Sequence, residues 1–105
     1  MRIFVVFNLK PGIDPAEYEA WARSSDIPAV RGLGSIAGFD VYRSAHLLGS
    51  DETPPYAYVE VIEVGDDAAF GGDVGTPGMK EIAAQFQTFA DNPQFMVMQD
   101  ITDAP

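Results

Sequence analysis

Apolar residues recur along this chain with two different periods, and each change of period marks an element boundary. Ile3 to Leu9 is a β-branched and aromatic run that closes on Lys10-Pro11-Gly12, a turn signal, and it predicts a first strand. Asp14-Pro15-Ala16-Glu17 then supplies a capping acid, a proline suited to the first helical position and a glutamate three residues past the cap. The helix starting there presents Tyr18, Trp21, Ala22 and Ser25 at helical spacing. Pro28 is expected to end it, because the residue before a proline is pushed out of the α region.

Gly32 to Gly38 reads as a loop, and Phe39 to Leu48 as a second strand in which Phe39, Val41, Arg43 and Ala45 alternate with Asp40, Tyr42, Ser44 and His46. The turn formers from Gly49 to Pro55 separate it from a third strand, Tyr56 to Val64, with Ala57, Val59 and Val61 on one face and Tyr58, Glu60 and Ile62 on the other. Asp66 to Phe70 suggests a single helical turn that Gly71-Gly72 and Gly75 interrupt. Thr76 then caps a second main helix, with Pro77 at its first position and Met79, Ile82, Ala83, Phe86, Phe89 and Ala90 on one face. Asn92-Pro93 stops that pattern ahead of a last strand, Gln94 to Ile101.

The order is βαββαβ, an α+β, ferredoxin-like arrangement with both helices on one face of a four-stranded antiparallel sheet. In strand one Phe4 and Val6 point opposite to Ile3, Val5 and Phe7, so both sheet faces are apolar and one helix layer can bury only one of them. A homodimer packed through the open sheet faces is the expected solution.

At 105 residues the chain is sized for one domain, 1–105, with 47% hydrophobic and 21% charged residues, an ordinary globular balance. Its formal net charge of -10 argues against nucleic acid and anionic membrane surfaces as partners. Without cysteine there are no disulfides, thiolate nucleophiles or cysteine metal sites. The short apolar run at the start ends at Asn8, too early for a signal core or a membrane span, which points to a cytoplasmic protein.

The segments IFVVFNLKPGIDPAEYEAWARSSDIP, GFDVYRSAHLLGS, PPYAYVEVIEV and FADNPQFMVMQDI together resemble the RedY-like (HapK) family, within the dimeric α/β barrel group, over nearly the whole chain. The resemblance implies a biosynthetic accessory enzyme, a cyclase for example, of bacterial secondary metabolism of the prodigiosin or bisindole type. Around Asp26-Ile27-Pro28 the chain is also similar to an EthD-like motif that carries a histidine just before an X-Pro step, where this sequence has Asp26.

His46, the single histidine, is the side chain whose ordinary pKa lies nearest neutrality and is a candidate acid or base; an exposed histidine at a strand end is the plainer alternative. Asp26, at the predicted helix exit, could orient it, or could simply cap a turn. Glu60 lies mid-strand beside Tyr58, where a charge needs a partner or a wet pocket, and Arg43 is the expected cross-sheet partner. Trp21, Tyr18, Tyr58 and Phe86, with Arg43, suit walls for a pyrrole-like or indole-like ligand, although aromatic residues at helical spacing also build ordinary cores. No metal-ligand spacing or glycine-rich phosphate loop is present, so neither metal nor cofactor is expected.

These residues support cofactor-free acid–base cyclisation or dehydration of an aromatic intermediate, with His46, Asp26 and Glu60 moving protons. Two other functions fit the same pattern: a non-catalytic carrier that shields a labile pigment precursor, and a cofactor-free monooxygenase.

Overall fold

The computed structural model describes residues 1–102. Four strands, β1 (Arg2–Leu9), β2 (Ile36–Arg43), β3 (Tyr58–Val64) and β4 (Ala90–Met98), form an antiparallel sheet in the order β2-β3-β1-β4. Helices α1 (Pro15–Trp21), α2 (Ile27–Arg31), α3 (Asp67–Val74) and α4 (Pro77–Phe89) connect them, with the longer α1–α2 and α4 segments on one face of the sheet. This is the α+β, ferredoxin-like arrangement that the alternating periods predict.

The core forms where the inward side of each strand meets those helices. Ile3, Val5 and Phe7 of β1 and Tyr58, Ile62 and Val64 of β3 are buried with Tyr18, Ala22 and Phe86. Phe7 is its centre: its ring stacks on Tyr58 at 5.5 Å and meets Tyr18 at 5.6 Å and Phe86 at 5.0 Å edge to face.

The other sheet face is also apolar. The strand registers place Phe4, Val6, Val59 and Val61 there, half-buried, with Tyr42, Met96 and Met98 exposed around them. Among the described residues no helix packs over this face.

Four boundaries differ from those expected. Pro28 does not stop the first helix: after α1 the chain widens into a π turn, Ala22–Asp26, and continues as α2. The Ile27 N–H bonds to the Ala22 carbonyl, five residues back, so Pro28 falls in the first turn of α2, where its missing N–H costs little. Gly71 and Gly72 do not interrupt α3, because the Asp66 carboxylate caps it at the Ala69 N–H and glycine within a helix is a cost of about 1 kcal/mol, not a block.

β2 spans Ile36–Arg43 instead of Phe39–Leu48. Its last link to the segment ahead of β3 is the Ser44 N–H to the Ala57 carbonyl at 2.8 Å, and Pro54 and Pro55 cannot donate further ladder bonds. The carboxamide of Asn8 braces this loop at Pro55 and Ala57. β4 starts at Ala90, so Asn92-Pro93 lies inside the strand; the β1–β4 register shifts there, Asn92 has φ 47°, and an edge strand tolerates a proline.

Candidate functional site

The wide turn between α1 and α2 decides what faces the sheet. Tyr18, Ala22 and Asp26, each four residues from the next, are all buried, and Asp26 is only 6% exposed. Opposite, the period-two alternation of β3 puts Tyr58, Glu60 and Ile62 on the same inward side, with Glu60 only 4% exposed. Two carboxyls from different layers are therefore buried in the same interior, near enough for the charge of Asp26 to act on Glu60.

Neither takes part in an ion pair among the described residues. Burial pushes the Asp26 carboxyl up to about 6. Burial, reinforced by the nearby Asp26 charge, pushes Glu60 up to about 8. Around neutral pH Asp26 is then ionised and Glu60 protonated, so the two carboxyls hold one proton between them. The Tyr18 side chain is close enough to feel both carboxyls, and burial first, then the Glu60 and Asp26 charges, raises its hydroxyl and keeps it neutral. Tyr18 Oη and Glu60 Oε2 are buried without a well-aligned hydrogen-bond partner, although the Tyr18 hydroxyl lies near enough to Glu60 to hold its carboxyl down somewhat against burial.

Beside this group a cleft of about 350 Å³ opens between α1, its π turn and the end of β2. Tyr18, Ile27, Val41 and Tyr58 form its apolar walls, and Glu19, Arg23 and Arg43 its polar side. Val41 is the cross-strand partner of Glu60 and Ile27 follows Asp26, so each carboxyl-bearing residue adjoins a wall residue although neither lines the cleft.

Glu19 organises the polar side. Arg43 Nη1 donates to its Oε1 and Oε2 at 3.1 and 2.8 Å, Arg23 Nη2 to Oε1 at 3.2 Å, and the Tyr58 hydroxyl to Oε2 at 2.8 Å. The Tyr58 hydrogen bond, with the charges of Arg43 and Arg23, holds the Glu19 carboxyl below the usual range. Burial and that same bond push the Tyr58 hydroxyl up to about 12. The i,i+4 spacing of Glu19 and Arg23 is legible in the sequence, but the convergence of Arg43 and Tyr58 on Glu19 is tertiary and was not foreseen.

The structure thus brings Asp26, Glu60, Tyr18, Tyr58 and Arg43 into one region, although the expected Arg43–Glu60 pair is replaced by Arg43–Glu19. The expected contact of Asp26 with His46 is not made. His46 lies past the end of β2, exposed, with Nδ1 2.9 Å from the Leu47 carbonyl oxygen. Trp21 and Phe86 lie outside the cleft: Trp21 Nε1 donates to Gln85 Oε1 at 2.7 Å, and Phe86 is buried against Phe7. Among the described residues no group of three or more His, Asp or Glu is arranged to hold a metal, and no helix is long and apolar enough to cross a membrane.

The sheet order and the one-sided helix layer define a ferredoxin-like α+β domain, with an interior carboxyl pair and a cleft of about 350 Å³ beside it. The chain belongs to the family described as REDY-like protein HapK, whose model matches residues 1–101. Among solved structures it is similar to HapK from Hahella chejuensis, with 26% identity, a TM-score of 0.70 and coverage of 100% of this chain and 99% of that one. A protein of Arabidopsis thaliana, At3g17210, is 12% identical with a TM-score of 0.78, covering 99% and 98%. A dimeric ferredoxin-like protein of unknown function from Thermobifida fusca is 14% identical with a TM-score of 0.70, covering 90% and 85%. No curated protein matches the chain.

Proposed function

We propose that this HapK-family chain is a biosynthetic enzyme of secondary metabolism, of the prodigiosin or bisindole type, that cyclises or dehydrates a pyrrole-like or indole-like intermediate by acid–base chemistry. The observation that carries the reading is the Asp26–Glu60 pair. Two carboxyls buried together without a cation cost stability, and such an arrangement is characteristic of sites that need an acid and a base at one pH.

The roles follow from the environments. Neither carboxyl lines the cleft, so both act through Tyr18: Asp26, with the lower pKa, is the base that takes up the ligand's proton by way of the Tyr18 hydroxyl. Glu60, protonated at neutral pH, returns one by the same route to the atom that gains electron density. Tyr18 lines the cleft and also senses both carboxyls, so its neutral hydroxyl is the relay between ligand and pair. The aromatic walls hold the ligand in a reactive conformation, which contributes by proximity.

The working unit in this reading is a homodimer that covers the open apolar sheet face. Its support is the exposure of Tyr42, Met96 and Met98 beside Phe4, Val6, Val59 and Val61, together with the dimeric protein from Thermobifida fusca.

The test is conversion of bipyrrole and bisindole precursors, followed by chromatography, with wild type, Asp26→Asn and Glu60→Gln. Both variants are expected to bind the precursor, seen by fluorescence quenching, and to lose turnover. Wild-type turnover in both variants would remove the pair from the chemistry, and binding without conversion by the wild type would leave the carrier function in place of the enzyme.

A further inference from the structure

We propose that the cleft reads a carboxylate on its aromatic ligand through the guanidiniums of Arg43 and Arg23, with Glu19 as the residue that positions them. The inference rests on the reading of the cleft as a small-aromatic site and adds the charge of what it takes.

The chain has 6 basic residues against 16 acidic ones, yet two of the six line this one cleft. Glu19 engages a single nitrogen of each: Nη1 of Arg43 and Nη2 of Arg23. Among the described residues Nε and Nη2 of Arg43, and Nε and Nη1 of Arg23, have no protein partner. Among the residues that line the cleft two guanidiniums face one carboxylate, so the lining itself carries one positive charge, offset in part by the ionised Asp26 outside it, in a chain whose overall field repels anions.

A planar guanidinium with free Nε and Nη2 presents the fork that pairs with a carboxylate through two parallel hydrogen bonds. Glu19 is firmly ionised and tied to Tyr58, so it fixes the arginines without exhausting their donors. The ligand ring would then lie against Tyr58, Val41 and Ile27, the last two adjoining Glu60 and Asp26.

Indole-2-carboxylate and indole-2-carboxamide differ in charge and little in shape, and binding of each to the full chain is measured by heteronuclear NMR titration. The carboxylate is expected to bind about tenfold or more tightly than the amide, with shifts at Ala22, Ile27 and Val41. That advantage is expected to vanish in Arg43→Gln, to return only in part in Arg43→Lys, and to shrink with added salt. Equal affinity of the two probes at the cleft would overturn the inference and leave the aromatic site standing. A carboxylate advantage that survives in the Arg43→Gln, Arg23→Gln double variant would also overturn it. Absence of cleft shifts with either probe would overturn both the inference and the aromatic site.

Discussion

Asp26 leaves a helix turn and Glu60 the middle of a strand, yet the two carboxyls are buried so close together that the charge of one raises the pKa of the other. The fold carries this at a cost to stability, and the cost depends on pH.

A carboxyl whose folded pKa lies above its unfolded value keeps a proton that the unfolded chain has released, so stability falls as pH rises between the two. For Glu60 that window runs from 4.5 to about 8, and for Asp26 from 3.8 to about 6. The stability of wild type is therefore expected to fall between about pH 4 and about pH 8, by about 1.4 kcal/mol per pH unit for each unmatched proton, as read by thermal unfolding. Glu60→Gln should flatten much of that slope; parallel curves for variant and wild type would place Glu60 in solvent.

The same pair sets the pH dependence of turnover. kcat/KM is expected to rise through about 6 as Asp26 ionises and to fall through about 8 as Glu60 loses its proton. Asp26→Asn and Glu60→Gln should each lower the rate by roughly a hundredfold or more. A flat wild-type profile across this range would remove the pair from the chemistry.

Tyr18→Phe separates structure from function. The Tyr18 hydroxyl is fully buried and its neighbour Glu60 is out of good alignment with it, so its removal is expected to leave stability within about 1 kcal/mol of wild type. A relay hydroxyl cannot be spared in the same way, and turnover should drop at least about tenfold. Denaturant unfolding and steady-state rates on one preparation decide; a destabilised variant with full activity would reverse the assignment.

Phe86→Ala removes a ring that packs on Phe7 and Trp21 with 5% of its surface exposed, and a loss of about 3 to 5 kcal/mol is expected in denaturant unfolding. A loss under about 1 kcal/mol would mean that the site collapses around the cavity.

Val59 sits on the open sheet face between Val6 and Tyr42. Sedimentation velocity is expected to show a dimer for wild type and a monomer for Val59→Asp. A wild-type monomer at micromolar concentration would sink the sheet-face dimer.

The elements were legible from local pattern because their causes are local. The alternation of Tyr58, Glu60 and Ile62 already fixes the side of the sheet on which Glu60 must lie, and the Asp14-Pro15 and Thr76-Pro77 starts already fix where two helices begin. The apolar residues on both sides of β1 likewise dictate a second face in need of cover. What Pro28 would do was not legible: a proline forbids one hydrogen bond, and only the packed environment selects between ending a helix and widening it into a π turn. That choice keeps Asp26 on the side that faces Glu60. The partners of the charged groups were decided at the same level, because Arg43 can reach Glu60 or Glu19 equally well on paper, and it is the docking of α1 against the end of β2 that brings Glu19 to it. His46 shows the converse: its chemistry was evident from the sequence, but its alternation with Tyr42 and Ser44 belongs to the outer side of the sheet, and β2 ends at Arg43, so His46 lies exposed past the strand. Sequence periodicity determines which face a residue belongs to; which residues from different elements meet on that face depends on long-range packing, which no local period encodes.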